Sequence, residues 1–195
     1  MEPDSDAPAD LAMSAFHHKR TFATAVGNPE AVGLQTPSSG RSVLSLPGRM
    51  WRYGGKPMDE LELSIPSERL IGFTVPENNR FLVCDHEEVW RVVVGLSVGV
   101  EQTDYAPYEI AERHDFVGWG KADAVPILSF GQRAVSYDFD RSASAAKVLF
   151  SDGTTEKKIE FPTFSGDWFG ASLSREGRLL VLAEPYRIGL YRMTR

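Results

Sequence analysis

Four stretches of this chain share one pattern, and a repeat constrains a fold more tightly than composition does, because every copy must build a similar unit. The clearest copy is GASLSREGRLLVLAEPYRIGLYRM, from Gly170 to Met193. It reads as an opening glycine with a short apolar segment, a polar turn at 174–177, an apolar run at 179–182, a second turn, and an alternating tail of Ile188, Leu190 and Tyr191. That order spells strand, turn, strand, turn, strand. Two earlier copies, GLQTPSSGRSVLSLPGRMWRY from Gly33 and GFTVPENNRFLVCDHEEVWRV from Gly72, align without a gap. They share Pro37 and Pro76, Arg41 and Arg80, and Trp51 and Trp90, and Arg178 takes the arginine place in the last copy. A fainter copy, GWGKADAVPILSFGQRAVSYDF, starts at Gly118.

The successive glycines Gly33, Gly72, Gly118 and Gly170 stand 39, 46 and 52 residues apart, a spacing of the size of propeller blades. With the turn, Gly-Arg, apolar run and aromatic wording of the last copy, the stretch from about residue 20 to 193 resembles a β-propeller of the broad WD-repeat type. Trp51 and Trp90 are each followed by arginine rather than aspartate, so the resemblance implies the blade topology without the His and Asp network of true WD repeats. The implied fold is all-β: a small propeller-like ring of about four blades, each an antiparallel sheet of three to four strands. The last blade holds three strands of its own. The resemblance therefore implies that an N-terminal strand, at 21–26, completes it and removes an open edge. A monomer closes the ring within one chain; the alternative is a dimer that completes a larger ring.

A chain of 195 residues suffices for one domain that buries roughly 70% of its unfolded surface. The expected organisation is a disordered acidic tail at 1–14, carrying Asp4, Asp6, Asp10, Pro3 and Pro8, followed by a single domain at 15–195. The acidic start and the absence of a long apolar run predict no export signal and no membrane span. Cys84 is the sole cysteine, which fits a reducing compartment, and the expected location is cytoplasmic. A net charge of −6 and the lack of a clustered Lys and Arg run argue against nucleic acid as a partner.

Along the chain, the second blade is expected at 70–75, 81–84, 89–94 and 96–100. The alternation of Leu61, Leu63 and Ile65 against Glu60, Glu62 and Ser64 predicts a half-wet outer strand at 59–65. The third blade is expected at 116–120, 126–130 and 134–139 with an outer hairpin turning at Asp152-Gly153, a strong hairpin signal. Between these blades, residues 101–115 (EQTDYAPYEIAERHD) are an insertion that suits a short helix from Pro107 to Arg113 capped by Asp104.

No nucleophile, Walker, zincin or Cys-pair motif is present, and neither cofactor nor metal is expected. His17 and His18 read as a solvated lead-in, since neighbours on a strand face opposite ways. Cys84 falls in an apolar strand and reads as a buried thiol rather than a nucleophile. Trp51 and Trp90, at matching places in two copies, read as inter-blade core rather than a ligand cage. Burying about 150–250 Å² of each at about 25 cal/mol per Å² is worth a gross ~4–6 kcal/mol.

The remaining expectation is a non-catalytic scaffold that binds a protein partner through loops on one face; the alternatives are a lectin-like small-ligand propeller and, behind it, a hydrolase. The partner surface falls on the insertion and the turn beside it: Tyr105, Tyr108, Glu109, Glu112 and His114 with Asp85, His86 and Glu87. Tyrosines offer contact area at low entropic cost, and the acids, with Glu101 and Asp104, steer a basic partner. The competing expectation is that both tyrosines fold back onto the blade edge.

Overall fold

The structure, a computed structural model, describes residues 58–121 and 123–194. All of them belong to the second of the two units into which the chain divides, Met50–Arg195; the first is Met1–Arg49. The expected tail at 1–14, His17 and His18, the strand at 21–26, and the first blade with Gly33, Pro37, Arg41 and Trp51 lie outside the described residues.

The last repeat forms the hairpins it spells: β11 (Gly170–Leu173), β12 (Leu179–Glu184) and β13 (Arg187–Met193) pair antiparallel in that order. Strand β1 (Met58–Leu61) adds itself to the outer edge of β13, Met58 opposite Met193 and Leu61 opposite Leu190. The second repeat builds β2 (Leu70–Thr74), β3 (Arg80–Asp85), β4 (Val89–Val94) and β5 (Val98–Thr103), again a simple antiparallel meander. After helix α1 (Pro107–Ala111), strand β6 (Phe116–Gly118) returns to pair with β2. The third sheet is the meander β7 (Ser129–Phe130), β8 (Arg133–Asp138), β9 (Ala145–Ser151) and β10 (Glu156–Pro162). The fold among the described residues is thus all-β, in three open antiparallel sheets.

Alternation along β12 explains how the sheets stack. Every residue of that strand is buried, because its two faces serve two cores. Leu180 and Leu182 join Val148, Phe150 and Phe161 of the β7–β10 sheet. Leu179, Val181 and Ala183 join Phe73, Phe81, Val83 and Val92 of the β2–β6 sheet. The sheet of the last repeat therefore lies between the other two, which is why LLVLAE reads as an unbroken apolar run rather than as hydrophobic-in, polar-out. Beyond the β2–β6 sheet, Ile71, Leu82, Cys84, Val89 and Phe116 form a third core beneath Ile110 of α1. The far face of the β7–β10 sheet is wet, with Ser136, Lys147, Lys158 and Glu160 exposed.

The strands that hold Gly72 and Gly170 each lead into a hairpin, β2–β3 and β11–β12. The turn after β2 closes through reciprocal 2.9 Å backbone bonds between Glu77 and Arg80, with Asn78 and Asn79 at φ of 51° and 60°. This is the left-handed two-residue geometry whose twist suits a hairpin. The matching turn after β11 is held by Ser174 Oγ, which accepts from the amides of Arg178 and Leu179 at 3.0 and 3.2 Å. These two turns touch. Glu176 Oε1 accepts from the Asn78 amide, and the Pro76 carbonyl accepts from the Arg175 amide, both at 2.9 Å. Trp90 is 2% exposed, on the face it shares through β-pairing with Val83, as the core reading expects.

Four expectations are corrected. Gly118 does not open the third sheet: it pairs with Gly72 at the inner edge of the second. The reason is steric, since a Cβ at Gly118 would sit 2.1 Å from the Ile71 carbonyl oxygen and 2.6 Å from Gly72 Cα. Two glycines let these backbones approach as ordinary residues cannot. The strand expected at 59–65 stops at Leu61 and pairs with the end of the chain, giving the sheet of the last repeat a fourth strand. The inner strand expected at 126–130 shrinks to Ser129–Phe130, because the segment before it is tied instead to β11 through Ser172 Oγ accepting from the Ile127 amide and Ile127 O accepting from the Leu173 amide. Finally, α1 has Ala106 at its N-cap with no side-chain cap, so Asp104 does not serve there. Pro107 takes the first helical position, where its fixed φ suits the helix and its missing amide is no loss, and burial of Pro107 and Ile110 anchors the helix instead.

Candidate functional site

The turn at 85–88 and the insertion at 101–115 come together on one side of the β2–β6 sheet. Strand β5 follows β4 in the meander, so its end lies beside the β3–β4 turn. Gln102 Nε2 donates to Glu88 Oε1 at 2.8 Å, and Thr103 Oγ1 donates to the Val89 carbonyl at 3.0 Å. The turn itself is organised by Asp85. One carboxylate oxygen accepts from the Glu87 and Glu88 amides, both at 2.7 Å, and the other accepts from Ser67 Oγ at 2.8 Å. Asp85 is thereby occupied in holding a turn, whereas His86 and Glu87 at its tip are exposed.

On the insertion, Pro107 and Ile110 face the core while Tyr105 and Tyr108 are 48% and 63% exposed. Glu109, Glu112 and His114 are exposed beside them. Tyr108 does not fold back onto the sheet, whereas Tyr105, half exposed, reaches Arg91 of β4. Arg91 on β4 is bound to Glu101 at 2.6 Å. Hydrogen bonding to Glu101 and then to Tyr105 holds its guanidinium even more firmly protonated than usual. The base of the insertion is pinned by a two-point pair, Arg113 Nε and Nη2 donating to Asp115 at 2.9 Å each. Burial pushes the Asp115 carboxyl upward, but the bonds and charge of Arg113 outweigh it and hold the group below the usual carboxylate range.

Cys84 lies beneath this surface, fully buried, its thiol pushed up to about 12 by burial and next by the charge of Asp85. A thiol so placed stays protonated at neutral pH and does not act as a nucleophile. Among the described residues no three His, Cys, Asp or Glu side chains gather at metal-binding distance.

Sequence reasoning missed two neighbours. Trp119 is 60% exposed and stands edge-on to His86, ring centroids 6.4 Å apart. Together with Arg69 and Trp168 these rings line a small cleft of about 140 Å³. The only signal for Trp119 was an aromatic next to a turn glycine, which the repeat alignment assigned to a blade. Arg91 was likewise passed over because it follows the buried Trp90, and alternation alone places it on the opposite face.

Among the described residues no helix is long and apolar enough to cross a membrane. No family model matches the chain, and neither a curated protein nor a solved structure matches it.

Proposed function

We propose that this protein is a non-catalytic binding module that captures a basic protein partner through the face formed by the turn at 85–88 and the insertion at 101–115. One observation carries the reading: the two segments are hydrogen-bonded into a single surface on which Tyr108, which a packing role would bury, is exposed and Tyr105 stays half exposed beside Arg91. The rings supply rigid amphipathic area, and Glu87, Glu109 and Glu112 around them supply a negative field for steering. The stack of three sheets with shared cores is a rigid support for such loops. The proposal does not need the four-bladed ring that the repeats resemble, nor does anything favour a repeated small-ligand site, since the loops of the repeats differ in residue type.

The test is a double replacement, Tyr105→Ser with Tyr108→Ser, read by quantitative capture from native lysate and by thermal melting. As a binding site, the pair should cost upward of ~2 kcal/mol in affinity with the melting temperature unchanged. Capture that is unaffected, or a lowered melting point with capture intact, refutes the assignment.

A further inference from the structure

The opposite end of the sheets, where the two repeat turns touch, carries a cleft of about 520 Å³ with three arginines in its wall: Arg133, Arg178 and Arg192. Asn79, Gly95 and Glu176 also line it. The arginines come from three separate places, the start of β8, the residue before β12 and the penultimate residue of β13. Their convergence follows from the topology. Arg192 lies opposite Leu179, one residue from Arg178, and Arg133 reaches across from the neighbouring sheet to the turn at Gly177.

Two of the three guanidiniums are held in place without being neutralised. Arg133 donates to the Gly177 carbonyl at 2.6 Å and to the Thr194 carbonyl at 3.1 Å. Arg192 donates to the Gly95 carbonyl. A carbonyl is a dipole, so these bonds fix direction but leave each positive charge standing, and each planar fork keeps further N–H donors to offer. Arg178 makes no side-chain hydrogen bond or ion pair among the described residues. The single carboxylate in the wall among the described residues, Glu176, already accepts from the Asn78 amide at 2.9 Å. Among the described residues the cleft thus holds three cations, two of them fixed, against one anion, in a protein whose net charge is −6, and its volume lies in the range of small-molecule sites.

We propose that this cleft binds a small molecule through an oxyanion group, a phosphate or a carboxylate, with Arg178 as the residue that closes on it and Arg133 and Arg192 as the preset part of the cradle. Guanidinium forks match both groups in a two-point geometry. The site is independent of the partner surface proposed above, which lies at the other end of β3 and β4.

Isothermal titration of the full chain with pyrophosphate and, separately, with citrate tests the proposal and distinguishes the two groups. At low ionic strength at least one probe should bind with sub-millimolar affinity. Arg178→Ala should weaken that binding tenfold or more without moving the melting temperature, because its side chain bonds to no other group among the described residues. Glu176→Gln keeps the acceptor for Asn78 and removes the one opposing charge, so it should tighten binding several-fold. Arg175→Ala serves as the control. It lies on the same turn, pairs with Glu77 at 3.5 Å and does not line the cleft, so it should change affinity less than twofold. Binding of neither probe at 10-fold above the millimolar range, or binding that Arg178→Ala and Arg175→Ala weaken equally, overturns the proposal.

Discussion

Replacing Gly118 with alanine should be among the most damaging methyl additions in this protein, and the same change at Gly99 should be harmless. At Gly118 the new Cβ meets backbone, 2.1 Å from the Ile71 carbonyl oxygen and 2.6 Å from Gly72 Cα. Reaching even 3.0 Å from that oxygen requires 3.0 − 2.1 = 0.9 Å of movement between β6 and β2, which no side-chain rotation can provide. The movement strains the bond from the Trp119 amide to the Ile71 carbonyl, now 2.8 Å, and the β6–β2 ladder beside it. It also lifts Phe116, which is fully buried, from its seat over Gly72. Two weakened backbone bonds at ~1 kcal/mol each and part of the ~3–5 kcal/mol that a buried phenylalanine contributes sum to about 3–4 kcal/mol. At Gly99 the nearest atom to a new Cβ is the Val93 carbonyl oxygen at 3.9 Å, and the residue is exposed. There the loss of unfolded-chain entropy should dominate and stabilise by ~0.4–1 kcal/mol. Urea unfolding followed by tryptophan fluorescence reads both changes. With a slope of ~2 kcal/mol per molar, Gly118→Ala should lower the midpoint by about 1.5–2 M and Gly99→Ala should raise it slightly. If the two variants unfold within ~0.5 kcal/mol of each other, β6 does not pair against Gly72 and the assignment of Gly118 to the second sheet is wrong.

Met58→Ala should cost ~2–5 kcal/mol in the same assay, because Met58 is 1% exposed in the core shared with the β7–β10 sheet; a loss under ~0.5 kcal/mol would show that β1 is not the outer strand beside β13. Cys84 should resist iodoacetamide at pH 8 in the native state and react at the ordinary rate in urea, whereas equal rates would mean that its thiol is neither buried nor raised. Asp115 has a folded pKa below its unfolded value, so its contribution should be complete above about pH 4–5 and be lost as pH falls through the lowered folded pKa. The stability gap between the parent and Asp115→Asn, measured by urea unfolding at pH 7, 5, 4 and 3, should be constant at the upper two values and shrink below them. A gap that grows on acidification contradicts the Arg113 pairing.

Local chemistry determined much of this protein without help from the rest of the chain. The hairpins of the second and last repeats follow from apolar runs of strand length between turns, and the Asp152-Gly153 turn follows from a glycine that takes φ of 88° at little steric cost. The burial of Cys84 and Trp90 was legible for the same reason, since it depends on which residues neighbour them along one strand; whether the tyrosines of the insertion stay exposed was left open by the sequence. Partner choice between strands is different, because it is decided by contacts between residues far apart in sequence that no local pattern encodes. The alternation at 59–65 announces a half-buried strand but cannot say that its mate is β13, more than a hundred residues later, or that pairing ends at Leu61. Gly118 looks like one more repeat glycine until Gly72 stands against it. Arg133, Arg178 and Arg192 are unremarkable in an acidic chain. They become one cleft only because antiparallel pairing sets Arg192 opposite Leu179, next to Arg178, and sheet stacking brings Arg133 across to the same turn.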